Sequence, residues 1–339
     1  MKNKLPFLSE KSDLSAVSES ERCFTFQKAG YKLRKAAASF FVVLLLFSLA
    51  GCGASGEETP PIENRESVSP DQHYEVPEFA EAVFNEEAAE SGNGAYIDVS
   101  SVAKGYVAVS AKSDRRLKFM VVTDEKYYYD LSNEGDVSIF PLQSGDGEYI
   151  FRVMEHVSDN KYAVLFETIA DVKMDDEFQP YIRTNDYASY TKESDCVVMA
   201  GEFAASSTDA LDYIGKVYKY VCENVKYDKE KAETVKSGYL PKPDETLKTG
   251  KGICFDYASL TASMLRSQGI PTKVIFGYVS PDDLYHAWNM FYTKETGWVS
   301  VEFKVNEKEW TRMDLTFSAN GSDQKFIGDG SNYADVYQY

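Results

Sequence analysis

The chain has few histidines and few positive charges. Histidine occurs three times in 339 residues, at His73, His156 and His286, so a mechanism that needs a histidine base must use one of these. Lysine and arginine number 36 against 54 aspartates and glutamates, which gives a net charge of −18. A surface this acidic repels phosphate backbones and argues against a nucleic-acid partner.

Metal-binding patterns are also lacking. The sequence has no closely spaced pair of histidines, no CxxC motif and no calcium-binding loop. The segment 250–252 reads Gly-Lys-Gly but lacks the earlier glycine and the following Ser or Thr of a phosphate-binding loop. We therefore expect no metal and no other cofactor. The composition is 43% hydrophobic and 27% charged, which is typical of globular proteins and excludes wholesale disorder.

The longest apolar run covers residues 36–50 and is too short for a transmembrane helix, which needs ~20 residues. Lys32, Arg34 and Lys35 precede it, and small residues follow, as in a signal peptide. The run ends in Leu-Ala-Gly-Cys, which resembles the lipobox of bacterial lipoproteins, where the cysteine, here Cys52, is acylated and becomes the new N-terminus. An ordinary cleaved signal peptide with an incidental cysteine is the alternative.

This interpretation divides the chain into four segments and places it on the extracellular face of the cell membrane, held there by lipid. Residues 1–51 are the lipoprotein signal peptide, and residues 52–77, which are rich in Glu and Ser and poor in apolar residues, form a flexible tether. A β-rich domain follows at 78–177. The last domain, at 178–339, holds the candidate chemistry.

The β-rich domain is predicted from apolar residues that alternate with a period of two between frequent turn signals. Short strands of this kind favour a small antiparallel sandwich-like domain. His156 follows one of the strands, and we expect it to be a solvated side chain. The predicted strands cover residues 95–99, 106–111, 117–123, 126–131, 137–142, 148–154 and 162–172.

After Ser206 the apolar period lengthens to three and four residues, which predicts an amphipathic helix. The residues 231–250 contain Gly238, Pro241 and Pro243, and they predict a long loop. A second helix is predicted to open at Cys254 and to end at Gly269, before Pro271. The apolar stripe of the first helix consists of Leu211, Ile214, Tyr218, Val221 and Val225.

A cysteine at the start of a helix faces the positive end of the helix dipole, which stabilises a thiolate over a thiol. Because the thiolate is the attacking species in thiol catalysis, Cys254 is the candidate nucleophile. Two strands are predicted at 273–279 and 286–292, and a third near 310–317 carries Asp314 among apolar residues. An acid there needs a partner, and a histidine whose tautomer it fixes is one.

Four ordered blocks between about residues 205 and 320 resemble the core of transglutaminase-like domains. They are Gly-Ile-Cys-Phe-Asp-Tyr-Ala-Ser-Leu, Leu-Arg-Ser-Gln-Gly-Ile-Pro, His-Ala-Trp-Asn and Trp-x-x-x-Asp-x-Thr-Phe. The resemblance implies an α+β, papain-like fold, in which a cysteine-bearing helix packs on an antiparallel sheet. It also implies that Cys254 is the nucleophile, that His286 is the general base and acid, and that Asp314 orients the imidazole.

Several roles stay open at this level. Asp282 or Asp283 is the alternative to Asp314, and Trp288 and Tyr239 either line the acyl site, as substrate-binding residues, or pack in the core. Cys196 and Cys222 form either a disulfide or two buried thiols. Asp256, two residues after the candidate nucleophile, is expected to be a partner of the helix dipole rather than a catalytic acid.

The resemblance implies acyl transfer through a thioester on Cys254, with a protein, a peptide or a cell-wall amide as substrate. Hydrolysis of the peptidase or amidase type is favoured, and protein crosslinking by a transglutaminase is the first alternative. A catalytically silent module that binds cell wall or protein is the second. The sequence leaves the oligomeric state open.

The lipidation hypothesis predicts that Cys52→Ser releases the protein from membranes or leaves it unprocessed, because the acylated thiol is missing. Two or more acyl chains give stable anchoring, so the wild type should partition with the membrane fraction. Intact-mass analysis of the mature protein checks this. An unmodified N-terminus in the wild type would contradict the hypothesis.

Overall fold

Eight antiparallel strands make up the first part of the described chain. The computed structural model describes residues 73–279, 284–294, 296–299, 303–306, 309–311 and 333–339. The strands are β1 (Glu90–Gly92), β2 (Ala95–Asp98), β3 (Tyr106–Lys112), β4 (Leu117–Val122), β5 (Lys126–Leu131), β6 (Glu134–Pro141), β7 (Gly147–Ser158) and β8 (Lys161–Val172). They form two four-stranded sheets, in the orders β1-β2-β3-β6 and β5-β4-β7-β8.

Both sheets contribute to one apolar cluster, as a sandwich-like arrangement requires. Ile97 and Val109 of the first sheet and Phe119, Phe151 and Val153 of the second are all fully buried in it. The all-β region predicted from the period of two is therefore confirmed. Strand β1, only three residues long, is the one that the pattern did not predict, because so short a segment has no measurable alternation.

Among the described residues, five α-helices follow: α1 (Asp195–Ala205), α2 (Ala210–Asn224), α3 (Lys229–Thr234), α4 (Pro243–Thr249) and α5 (Cys254–Ser267). Helix α2 is the predicted amphipathic helix, and its cap is Asp209, whose side chain accepts a hydrogen bond from the backbone N–H of Asp212 at 2.8 Å. Helix α5 begins at Cys254, as predicted from the sequence.

The long loop predicted for 231–250 is wrong in part, because the end of helix α3 occupies its first residues and helix α4 lies inside it. Pro243 is in the first turn of α4, where its missing N–H has no partner within the helix in any case and its fixed φ favours the helical conformation. Gly250, at φ +60°, ends the helix in the left-handed conformation. The proline that indicated a loop is therefore a helix start.

The remaining strands surround and follow α5. They are β9 (Lys226–Tyr227), β10 (Lys251–Gly252), β11 (Thr272–Val279), β12 (Leu284–Thr293), β13 (Gly297–Val299), β14 (Phe303–Asn306), β15 (Glu309–Thr311) and β16 (Tyr333–Gln338). Strands β13-β12-β11-β16 form an antiparallel sheet, β14 pairs with β15, and β9 pairs with β10 in parallel. Strands β11 and β12 confirm the two strands predicted on either side of residue 280.

Helix α5 is the centre of this part of the structure, because every residue from Asp256 to Ser267 is buried. Ala258 and Ala262 belong to the apolar cluster that also includes Val274 of β11, Ala287 of β12 and the two N-terminal sheets. On its other side, the helix packs against α1 and α2 through Tyr257, Leu260, Met264 and Leu265. The α+β architecture with a cysteine-bearing helix packed on a sheet is thereby confirmed.

The C-terminal end of α5 is joined to its surroundings by the buried side chain of Arg266. Its guanidinium donates to the carbonyl oxygens of Thr272 at 2.7 Å, Arg183 at 3.0 Å and Tyr339 at 2.7 Å. Burial lowers the pKa of Arg266 to about 10, so the group is still a cation at neutral pH. A cation in the last turn also complements the helix dipole.

Part of the segment expected to be a tether contacts the helices. The backbone N–H of Tyr74 donates to the carbonyl oxygen of Ser207 at 2.9 Å, and its hydroxyl donates to the carbonyl oxygen of Gln268 at 2.6 Å. The ring of Tyr74 stacks on that of Tyr213 with 5.5 Å between centroids. In the described ranges, no helix combines the length and apolar character needed to cross a membrane.

The contacts of Arg266 predict that Arg266→Met lowers the free energy of unfolding by about 2–4 kcal/mol, because buried carbonyl oxygens lose their charged donor. Equilibrium urea unfolding measures this change. Arg115→Met is the matched control, since the Arg115 side chain is 58% exposed and its ion pair with Glu155 is 3.6 Å long. The control should change stability by less than about 1 kcal/mol. Equal effects of the two substitutions would contradict the role assigned to Arg266.

Candidate active site

Cys254 is the first residue of α5, and its side chain is half-buried beside the apolar cluster that contains Ala287. The residue before it, Ile253, is the helix cap but has no polar side chain to bind the free N–H groups of the first turn. Asp256, in the first turn, instead binds the cap residue itself, because its Oδ2 accepts a hydrogen bond from the backbone N–H of Ile253 at 2.8 Å. The peptide that leads into Cys254 is held in this way.

Asp256 is fully buried and has two further partners from the segment that precedes α5. Lys231 of α3 places its Nζ 2.8 Å from Oδ2 of Asp256, and the Tyr239 hydroxyl donates a hydrogen bond to Oδ1. Lys231 also donates to the Tyr239 hydroxyl at 2.6 Å. Burial and the bond to Asp256 raise the pKa of Tyr239, so its hydroxyl stays protonated and acts as a donor.

Gly252 makes room for this arrangement. A Cβ atom at this position would lie 2.5 Å from Cβ of Asp256, closer than side-chain atoms approach one another, and 3.1 Å from its Oδ2. The carboxylate can therefore fold back onto the backbone of Ile253 only because residue 252 has no side chain. The glycine of the Gly-Ile-Cys block is thus explained by the space that the Asp256 side chain needs, and not by the cysteine.

Strands β9 and β10 bring the segment with Lys231 to the start of α5. Gly252 pairs with Tyr227, and its carbonyl oxygen accepts a hydrogen bond from the backbone N–H of Asp228 at 2.9 Å. The Asp228 side chain in turn caps α3 by accepting from the backbone N–H of Lys231 at 2.9 Å. The two-residue pairing of β9 with β10 and the Asp228 cap of α3 thus determine where Lys231 lies relative to Asp256.

Tyr227 lies close to the cysteine, although nothing in the sequence indicated it. Its pKa is raised to about 12, first by burial and then by the negative charges of Cys254 and Asp256. The phenol is therefore protonated at neutral pH and can donate a hydrogen bond to an anion. No local pattern could have found Tyr227, since it lies in a two-residue strand 27 positions before the cysteine.

His286 lies on β12 directly opposite Gly277 of β11, and it is 3% exposed. Its ring is 6.3 Å, centroid to centroid, from that of Trp288, which is 2% exposed. Gly277 again has a steric reason, because a Cβ atom there would lie 2.7 Å from Cη2 of Trp288 and 2.1 Å from the carbonyl oxygen of Ala334. Trp288 is thus packed in the core next to His286.

The indole Nε1 of Trp288 is buried and has no hydrogen-bond partner in the part of the chain that the structure describes. Trp288 contacts Ile275, Val279 and Met290, which is the core packing that the sequence left open beside substrate binding. The Tyr239 hydroxyl is likewise engaged with Asp256 and Lys231. A substrate-binding role for these two side chains stays a prediction.

Helix α5 and strand β12 are joined by Asn289. Its Nδ2 donates to the carbonyl oxygen of Ala258 at 3.0 Å, one turn after Cys254, and to that of Lys273 at 3.2 Å. Successive side chains of a strand point to opposite faces. Asn289 and Ala287 face the helix, so His286 and Trp288 lie on the opposite face of β12. The structure therefore places the cysteine at the end of the helix and the histidine on the strand that this helix covers, and their pairing stays a prediction.

Other predicted residues fall outside the described ranges or away from this site. Asp314, Asp282, Asp283 and Cys52 lie outside the described residues. His156 is half-buried, and its Nε2 lies 2.8 Å from the carbonyl oxygen of Asp159 at a turn.

The two other cysteines among the described residues are thiols. Cys196 and Cys222 are not joined by a disulfide, although they are described in full. Burial raises the pKa of Cys196 far above its ordinary value, and the neighbouring Asp244 adds to this effect. Across the described residues, no group of three or more His, Cys, Asp or Glu side chains is arranged to hold a metal ion.

Residues 197–303 match the family model of the transglutaminase-like superfamily. This part of the chain is a transglutaminase-like core. The match covers helix α5 and strands β11 and β12, and it confirms the resemblance carried by the first three sequence blocks, whereas the fourth, with Asp314, lies beyond residue 303.

Two curated relatives match shorter stretches of this chain. The UPF0252 protein of Methanocaldococcus jannaschii is 40% identical over 62 residues, which cover 17% of this chain and 18% of that protein. A protein-glutamine gamma-glutamyltransferase of Pseudomonas aeruginosa is 31% identical over 102 residues, which cover 26% of this chain and 14% of that protein. The chain therefore spans less than a fifth of the length of either relative.

A solved structure of a cysteine-protease candidate from Cytophaga hutchinsonii is also similar. It is 14% identical, with a TM-score of 0.33, and the match covers 69% of this chain and 86% of that one.

The contact of residue 252 with the buried acid predicts that Gly252→Ala displaces Asp256. The substitution should lower the free energy of unfolding by about 1–3 kcal/mol, the usual cost of forcing extra atoms into a packed site. Equilibrium urea unfolding and a crystal structure of the variant measure the two effects.

Gly201→Ala is the matched control. Gly201 lies within helix α1, and a Cβ atom there would meet no described atom within 4 Å. Because alanine is the better helix former, this control should raise stability by about 0.5–1 kcal/mol. If Gly252→Ala left stability and the position of Asp256 unchanged, the steric explanation for the glycine would be wrong.

Proposed function

We propose that this protein is a thiol enzyme that acts on amide bonds through a thioester on Cys254. The observation that carries the proposal is the position of Cys254 as the first residue of a buried helix inside a transglutaminase-like core. The free N–H groups of a first helical turn stabilise negative charge, both on a thiolate and on the oxyanion that forms when it attacks. Cys254 is half-buried, so part of the residue is exposed to solvent.

The chemistry has two halves. In the first, the Cys254 thiolate attacks the amide carbonyl carbon, the backbone N–H of Cys254 donates to the oxyanion, and the C–N bond breaks as His286 protonates the leaving amine. In the second, His286 takes a proton from the incoming nucleophile, which attacks the thioester and releases the thiolate. Asp314 orients the imidazole in both halves.

The incoming nucleophile decides between hydrolysis and crosslinking. Water gives a peptidase or amidase, and the amine of a lysine side chain gives a crosslink. Hydrolysis is favoured here because Cys254 is open to solvent in part, and water competes with an amine wherever it is not excluded. The crosslinking alternative is supported by the relative from Pseudomonas aeruginosa, which is called a protein-glutamine gamma-glutamyltransferase.

The setting proposed for this activity is the outer face of the cell membrane. The support is the sequence alone, namely the apolar run at 36–50 followed by Cys52 in a lipobox-like block. An enzyme anchored there meets proteins, peptides and cell-wall amides as substrates. The competing proposal is the catalytically silent binding module. It would be favoured if Cys254 of the wild type reacts no faster than an ordinary thiol.

The proposal predicts that Cys254→Ala and His286→Ala each lower the rate of acyl transfer by about 1,000-fold or more, because both act in the same step. The double variant should be little worse than either single one, and Asp314→Ala should retain more activity because the acid only orients the ring. A screen of chromogenic amide and ester acyl donors, read for amine release and for incorporation of an added amine, measures these rates.

Controls and stability measurements separate chemistry from folding. Cys222→Ala and His156→Ala are matched controls and should keep the activity. His286→Asn fills more of the buried site than alanine does, so it should keep the melting temperature while losing the activity. Activity that survives His286→Asn would contradict the assignment of the base. If the variants lose activity because they unfold, a structural role for these residues is favoured.

A further inference from the structure

A network of three side chains holds the backbone in front of Cys254. It consists of Lys231, Tyr239 and Asp256, and its contacts are the 2.8 Å ion pair, the hydrogen bond from Tyr239 to Asp256 and the 2.6 Å bond from Lys231 to Tyr239. The network contacts the backbone through the 2.8 Å hydrogen bond that Asp256 accepts from the N–H of Ile253. The network therefore ends at the peptide that precedes the proposed nucleophile.

The two partners reach Asp256 by separate routes. Lys231 is brought there by the cap of α3, which is tied to β10 through Asp228 and Gly252. Tyr239 follows Gly238, whose φ of +79° is left-handed, in a turn where a Cβ atom would lie 3.2 Å from Oδ2 of Asp130 on β5. Neither route includes the helix on which Cys254 lies.

The charge on Lys231 has a second consequence. A fully buried carboxylate two residues from a thiolate repels it, which opposes the effect of the helix dipole. The ammonium of Lys231, in contact with the same carboxylate, balances that charge. The Asp256 carboxylate can then bind the backbone of Ile253 without leaving a net negative charge beside Cys254.

We propose that Lys231 and Tyr239 are positioning residues for Cys254: they hold and neutralise Asp256, which fixes the backbone from Ile253 into the first turn of α5. The inference rests on the proposed function in one respect only, namely that Cys254 is the nucleophile. Neither residue touches the reacting atoms. Their effect reaches Cys254 through the carboxylate and the backbone.

The test compares Lys231→Met, which keeps the length of the side chain and removes the charge, with Lys231→Arg, which keeps the charge. The rate of Cys254 alkylation by iodoacetamide at pH 7, followed by mass spectrometry, should fall about 10- to 100-fold in Lys231→Met, because the unbalanced Asp256 carboxylate disfavours the thiolate, which is the species that reacts. Lys231→Arg should retain most of the rate. Tyr239→Phe should lower it in the same direction but by a smaller factor.

A double-variant cycle tests whether Lys231 acts through Asp256. In an Asp256→Asn background the carboxylate charge is absent, so Lys231→Met should have a smaller effect on the alkylation rate than it has in the wild type. Equal effects in the two backgrounds would overturn the proposed route. Lys248→Met and Tyr96→Phe are matched controls, because both residues are exposed and should leave the rate unchanged.

Hydrogen exchange keeps this test separate from the proposed function. The amide of Ile253 should exchange about tenfold faster in Lys231→Met than in the wild type, while the melting temperature changes little, and Lys231→Arg should restore the protection. If wild-type Cys254 reacts no faster than an ordinary thiol, the proposed function fails, and the exchange of Ile253 still decides the positioning role. Unchanged exchange and alkylation in Lys231→Met would overturn that role.

Discussion

The structure depends on the burial of one helix on all of its sides. Helix α5 lies between the apolar cluster of the β-sheets and the helices α1 and α2, so none of its polar groups from Asp256 onward reaches water. Each end of such a helix leaves backbone groups without partners inside the helix. Those groups, and any charge near them, must find partners within the protein, and the two ends of α5 solve this in opposite ways.

Asp256 lies in the first turn and Arg266 in the last, which are the ends where an acid and a base complement the helix dipole. Asp256 is balanced by the ammonium of Lys231, whereas Arg266 binds three carbonyl oxygens. The Lys231 side chain is 30% exposed, so water in part replaces its ammonium when it is removed, whereas loss of the buried Arg266 leaves carbonyl oxygens without a donor. Cys254 lies at the end that has the ion pair, which links the stability of the helix to the geometry of the proposed nucleophile.

Glycines next to the site show how backbone and chemistry are joined. Gly252 lets the Asp256 carboxylate fold back on the chain, and Gly277 lets Trp288 pack beside His286 and against Tyr333 of β16. In both cases the glycine lies next to a proposed functional residue, either before it in the chain or opposite it in the sheet. Packing of this kind restricts the positions of Asp256 and Trp288 and leaves Cys254 half-buried.

Local pattern was enough for the strands β2 to β8, for helix α2 and for the start of α5, because period, turn residues and caps are properties of neighbouring residues. It failed at α4, where Pro243 opens a helix instead of breaking one, and it missed α1, whose small residues Ala200, Ala204 and Gly201 give a weak apolar period. The family resemblance carried by four sequence blocks was also within reach of the sequence.

The sequence by itself determined which residue types lie at the start of α5 and on β12, and hence the chemistry that Cys254 and His286 can perform. Only the tertiary structure decided which residues surround them. Lys231, Tyr239 and Tyr227 precede the cysteine by 15 to 27 positions. A two-residue parallel pairing, a helix cap and a left-handed glycine bring them to the start of α5. Contacts of that range arise when the chain closes on itself, and no period or motif within a short window records them.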